Sequence, residues 1–130
     1  MNETNVGCLD NHFKAETENQ NVDTGDKVKL MCRSVMGYGL RYCRFNHPTG
    51  KSLNLGYHSS SMESRFSYMG KGLEAGECGL LIEDFKTEDF GTWTCASAFI
   101  GNSWPAEFQD SITLEKARKL DKKPELYNGD

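Results

Sequence analysis

The stretch LLIEDFKTEDFGTWTC, residues 80–95, constrains this chain more than any other. Leu80 and Ile82 alternate as on a half-buried strand, Phe85 follows, and Asp89, Gly91, Trp93 and Cys95 then recur at every second position. A period of two belongs to extended backbone, not to a helix. In TGDKVKLMCRS, residues 24–34, Val28, Leu30 and Cys32 alternate with Lys27, Lys29 and Met31 behind a Thr-Gly-Asp turn. GLRYCRF, KSLNLGY, SRFSYM, CGLLIEDF, GTWTCASAF and DSITLE supply further short runs, punctuated by Pro48 and Gly50. The glycines of GKGLEAGECG precede no helix, so they suit a hairpin and close backbone approach better than a phosphate cradle. Short strands with turn signals roughly every 8–12 residues predict an antiparallel sandwich or barrel.

At 130 residues the chain has room for one domain with a genuine core. Residues 1–22 read as a polar lead-in ending in one edge strand, 23–115 as the folded domain, and 116–130 as a charged tail. The tail's Lys116, Arg118, Lys119, Lys122 and Lys123 read as a solvated linker in preference to a patch for acidic lipid or glycan. A net charge of −4 argues against a nucleic-acid partner, which wants a concentrated basic face. No apolar run approaches the roughly 20 residues needed to span a bilayer. The start lacks a basic region followed by an apolar one, so it reads as a chain without a signal peptide. Five cysteines in so short a chain point to an oxidising compartment.

The segment from Leu80 to Cys95 resembles the immunoglobulin-superfamily pattern, in which Leu-x-Ile leads to Asp-x-Gly-x-Tyr-x-Cys. The resemblance implies an all-β, variable- or intermediate-type sandwich in which Cys95 on the sixth strand is bridged to Cys32 on the second. It also implies a bidentate pair between Arg65 and Asp89 that closes one end of the sandwich. The tyrosine of the pattern is Trp93 here, so an indole N–H either takes over the hydroxyl's bond to the backbone or the bond is lost. The tryptophan that usually stands on the third strand is Cys43. Along that strand Cys43 points the same way as Phe45, and Cys78 points with Leu80 and Ile82 on the fifth. Facing and period therefore pair Cys43 with Cys78 as a second inter-sheet disulfide in the space the tryptophan vacates. Cys8 is left over, as an intermolecular bridge, a cap at the end of the domain or a free thiol.

Tyr42-Cys43-Arg44, with the Tyr-x-Gly-x-Gly-Leu-x-x-Gly-x-Cys-Gly segment from Tyr68 to Gly79, is similar to the first immunoglobulin domain of insect fasciclin III-like cell-adhesion proteins. That resemblance, over about residues 24–100, implies an extracellular adhesion or recognition module with a protein partner, homophilic or not. Tyr42 and Arg44 flank inward Cys43 and so face out. Tyr57, Ala98 and Ile100 join them, with Trp104 in the loop after the sixth strand. Tyr, Trp and Arg are the side chains enriched at interface hot spots; the plainer alternative has Ile100 and Trp104 sealing the end of the core. A second function stays open, that of a soluble secreted single-domain protein binding a heterologous ligand, as an immune recognition factor or antagonist does. Asn2 of Asn-Glu-Thr fits the glycosylation sequon. Cys8 and His12 are one short-spaced pair without a second, so no metal is expected, and His12, His47 and His58 read as surface histidines. No nucleophile elbow surrounds any cysteine, so neither a cofactor nor catalysis is expected.

Overall fold

Alternation along the chain becomes two stacked sheets. The computed structural model describes residues 12–55, 63–101 and 107–117. Its strands are β1 (Phe13–Ala15), β2 (Gln20–Val22), β3 (Val28–Ser34), β4 (Cys43–Asn46), β5 (Ser52–Leu55), β6 (Phe66–Met69), β7 (Glu77–Ile82), β8 (Gly91–Ser97) and β9 (Phe108–Lys116). One sheet has the order β1-β3-β7-β6, the other β2-β9-β8-β4-β5. In β3 the residues Val28, Leu30, Cys32 and Ser34 are buried while Lys29 is exposed, as a strand with one wet face requires. Trp93, Phe13, Phe45, Phe85, Leu30, Leu80, Ile82, Ile112 and Leu114 fill the space between the sheets. This is an immunoglobulin-like β-sandwich.

Two disulfides tie the sheets together. Cys32–Cys95 joins β3 to β8 across 6.6 Å between Cα atoms, and Cys43–Cys78 joins β4 to β7 across 5.3 Å. Cys32 and Cys78 stand opposite each other in the β3–β7 ladder, so the bridges lie side by side. All four cysteines are buried. The inward facing of Cys43 and Cys78 inferred from strand period is thus what the fold shows.

The lead-in contributes more than one edge strand. β1 pairs antiparallel with β3 in the first sheet, and β2 pairs parallel with β9 in the second. Phe13 is fully buried. The crossing between sheets is held by polar groups: Ala15 N–H donates to the Asp110 carboxylate at 2.7 Å, Met31 N–H to Thr17 Oγ1 at 2.8 Å, and Thr113 N–H to Asn19 Oδ1 at 2.8 Å. Strands of three residues have no readable period, which is why the boundary at residue 22 falls too late. Lys116, assigned to the tail, is the last residue of β9.

The glycine-rich segment does form the β6–β7 hairpin, with a single 3₁₀ turn at Leu73–Ala75 inside it. A Cβ at Gly79 would collide with the Met69 carbonyl oxygen of β6, so close approach of two backbones dictates glycine there. Tyr68 Oη locks the hairpin, donating to Glu77 O at 2.8 Å and accepting from Gly72 N–H at 2.9 Å.

Candidate partner-binding surface

A buried polar cluster closes the end of the sandwich where β8 begins. A 3₁₀ turn at Thr87–Asp89 carries Asp89, fully buried, beneath Arg65. Arg65 Nη1 and Nη2 donate to the two carboxylate oxygens at 2.6 and 3.2 Å, the fork-to-fork contact that the sequence pattern implied. Lys86 N–H donates to Oδ2 at 2.8 Å. His47 supplies a partner that sequence reasoning missed: its Nε2 lies 2.7 Å from Asp89 Oδ1. Thr49 N–H points at His47 Nδ1 from 3.1 Å, which assigns the ring proton to Nε2 and makes it the donor to Asp89. His47 is therefore a buried residue, not the surface histidine expected, because the Pro48–Gly50 turn folds its ring back under Trp93, 4.7 Å between centroids. His12 is half-buried, and His58 lies outside the described residues. Burial pushes the Asp89 carboxyl up, but the hydrogen bonds from Arg65, His47 and the Lys86 amide outweigh it and hold it below the ordinary carboxylate value. Trp93 Nε1–H donates to Asp89 O at 2.9 Å, so the indole does take over the corner bond of the missing tyrosine hydroxyl.

On the outer face of the five-stranded sheet, Asn54, Arg44, Ala96 and Gln109 form one cross-strand row and Ser52, Asn46, Thr94 and Ser111 the next. These are hydroxyls and amides, except for Arg44 and for Ala96, which is fully buried. Tyr42 and Arg44 do face outward, as expected, but both are committed within the chain. Arg44 Nη1 and Nη2 donate to the two Glu107 oxygens at 2.9 Å each, and Tyr42 Oη donates to Glu107 at 2.7 Å. Glu107 thus clamps β4 to the start of β9. Its partner Arg44 holds the Glu107 carboxyl below its usual value.

Burial, together with the hydrogen bond to Glu107, pushes the Tyr42 phenol up to about 12. A folded value above the unfolded one means that Tyr42 adds stability fully below the unfolded phenol's pKa, and that this is lost as pH rises towards about 12. Phenolate absorbance, with Tyr42→Phe subtracted, is expected to place this residue last among ordinary tyrosines and to bring it down in Glu107→Gln. Titration of Tyr42 alongside a free phenol would show that the clamp is open in solution.

Beyond Ser97 the strand leaves its ladder and the alternation ends. Ala98, expected to face out, is buried instead, its carbonyl accepting Arg41 N–H at 2.8 Å, while Ile100 stands exposed rather than sealing the core. Tyr57 and Trp104 of the expected face lie outside the described residues, as do Cys8 and Asn2. What the sequence reading passed over is the connection between β3 and β4. Val35, Met36 and Tyr38 are each at least half exposed, and with Ile100 at 53 % they are the exposed large apolar side chains among the described residues. Leu40 bridges to Phe99 and Ile100 N–H donates to Gly39 O at 2.9 Å, so both loops meet at one end of the sandwich. Tyr38 packs on Phe99 with ring centroids 5.4 Å apart, and His12 stands 6.2 Å from Tyr38. The available signal was VMGYG itself, apolar residues interrupted by two glycines and out of strand period.

No protein-family model matches the chain. Over 76 residues it is 38% identical to Fasciclin-3 of Drosophila melanogaster. The match takes in 58% of this chain and 14% of that protein, so the chain spans a small part of the relative it matches. With the sandwich, both bridges and the glycine-rich hairpin in place, the chain is an immunoglobulin-like domain similar to a segment of Fasciclin-3.

Proposed function

We propose that this chain is an extracellular recognition module of a cell-adhesion protein, which binds a protein partner, including a second copy of itself, through the loops at one end of its sandwich. The observation that carries the reading is the pair of buried disulfides at the centre of a sandwich similar to Fasciclin-3. Such bridges form and persist in oxidising compartments. The module binds and does not catalyse: Asp89, Arg65, Glu107, Arg44 and Tyr42 carry displaced titrations, and each is held by a partner in the fold. Asn2 is the position a secretory route would glycosylate. No helix among the described residues is long and apolar enough to cross a membrane.

Beads coated with the oxidised 130-residue chain test this reading. Clustering of coated beads with one another is expected, and clustering with uncoated beads is not. Beads that stay dispersed yet stain a cell surface would favour the soluble heterologous binder, and beads that do neither would remove recognition as the function.

A further inference from the structure

The exposed apolar side chains of the described structure are gathered, not scattered. Val35, Met36 and Tyr38 come from the β3–β4 loop and Ile100 from the β8–β9 loop, all at one end of the sandwich. A Cβ placed on Gly39 would lie 3.3 Å from Ile100 Cδ1, so the two loops touch with no side chain between them. Isolated exposed apolar residues need no explanation, but the largest contiguous apolar patch on a monomer, on the order of 300–600 Å², is often functional. The loops are also braced. Tyr38 N–H donates to Ser34 Oγ at 2.8 Å, Val35 N–H to His12 O at 2.8 Å, and Arg41 Nε to Phe99 O at 3.1 Å. A braced patch loses little freedom when covered, which favours binding.

The last described strand, β9, runs away from the patch. In the β8–β9 ladder Phe108 pairs with Ser97 at the apolar end and Leu114 with Gly91 at the other. The chain therefore leaves the described structure at Ala117, whose N–H donates to Val22 O, at the end opposite the patch. The exposed charges beside the tip are of both signs, Arg41 and Glu74, so two copies facing each other across a two-fold axis meet no run of like charge. By contrast, the sheet face presents small polar groups and an arginine already engaged with Glu107.

We propose that the contact between copies is made end to end, through Val35, Met36, Tyr38 and Ile100 against the same residues of a second copy. This rests on the adhesion reading above and names its surface. Four half-exposed side chains cover less than the roughly 800 Å² per partner that a standard stable complex buries. The single contact is accordingly weak, and many copies acting together on apposed surfaces supply the strength.

Sedimentation equilibrium of the full oxidised chain, with Cys8→Ser alongside to exclude cross-linking, gives the self-association constant. Met36→Glu and Ile100→Glu lie on exposed loops and leave the core untouched, so both are expected to fold and to weaken self-association at least about tenfold. Met36→Lys is expected to do the same alone, and to recover association when mixed with Met36→Glu, which a folding defect could not produce. Asn54→Glu on the sheet face is expected to change nothing. Loss of association in Asn54→Glu with none in the tip variants would overturn the end-to-end contact while leaving self-recognition standing. A chain that stays monomeric would remove both. Tip-dependent binding of that monomer to phosphatidylcholine–phosphatidylserine vesicles would assign the patch to a membrane instead.

Discussion

Replacing Asp89 with asparagine is expected to cost about 3 kcal/mol of unfolding free energy, the lower end of what removing one partner of a buried ion pair does. The size follows from what the carboxylate holds: two guanidinium nitrogens of Arg65, the ring of His47 and the Lys86 amide. An asparagine keeps the shape but loses the charge, leaving Arg65 to the exposed carboxylate of Glu63, 3.0 Å from its Nε. Urea unfolding measures the change, as a midpoint lowered by on the order of 2 M. The pH dependence identifies the cause. Because the folded Asp89 carboxyl titrates below the unfolded one, its stabilisation is complete above the ordinary carboxylate pKa and is lost as pH falls through the lowered folded value. The gap between wild type and Asp89→Asn should therefore stay constant near neutrality and close only in acid. A gap that is constant down to strong acid would mean that shape, not charge, carries the effect. Glu107→Gln, on the partly exposed clamp, is expected to cost less than about 1 kcal/mol.

The double substitution Cys43→Ala, Cys78→Ala is expected to cost about 4 kcal/mol on the chain-entropy account of a 35-residue separation. Thermal unfolding should then fall by roughly 20 °C for a domain of this size. The bridge stands where related sandwiches place a tryptophan, so its removal also leaves a space that the buried Phe45, Leu80 and Trp93 must close or leave empty. A loss of less than about 1 kcal/mol would show that packing alone holds β4 against β7, and that the second bridge is dispensable.

The parts of this fold that were legible in the sequence are those with a period or a fixed spacing. The run from Leu80 to Cys95 and the alternation in β3 located the sheets, and counting by twos along β4 and β7 placed Cys43 and Cys78 face to face. The Arg65–Asp89 pair was legible because its spacing to Cys95 is diagnostic. His47 was not, since a histidine beside proline and threonine in a turn carries no sign that the turn will fold its ring inward. Glu107 and Arg44 are 63 residues apart, and no local pattern records which carboxylate a guanidinium will meet. Ala98 failed for a simpler reason: a count of alternate residues was carried one step beyond the end of β8. Of the apolar tip, Ile100 was named, but Val35, Met36 and Tyr38 were passed over because they obey no period at all, which in a loop is the sign that they are not there for the core.

The pairing of the four bridged cysteines has a mechanical consequence. Cys43 and Cys78 both lie between Cys32 and Cys95 in the chain, so the second bridge is nested inside the loop closed by the first. When the domain is pulled between its ends, tension passes from β3 to β8 through sulfur, and the enclosed segment carries none of it. That segment spans 63 residues, an extension of roughly 200 Å at about 3.4 Å per residue which remains withheld while the bridge is intact. A domain pulled in this way would therefore yield a little at β1, β2 and β9 and then stop short, behaving as a link of nearly fixed length rather than a spring.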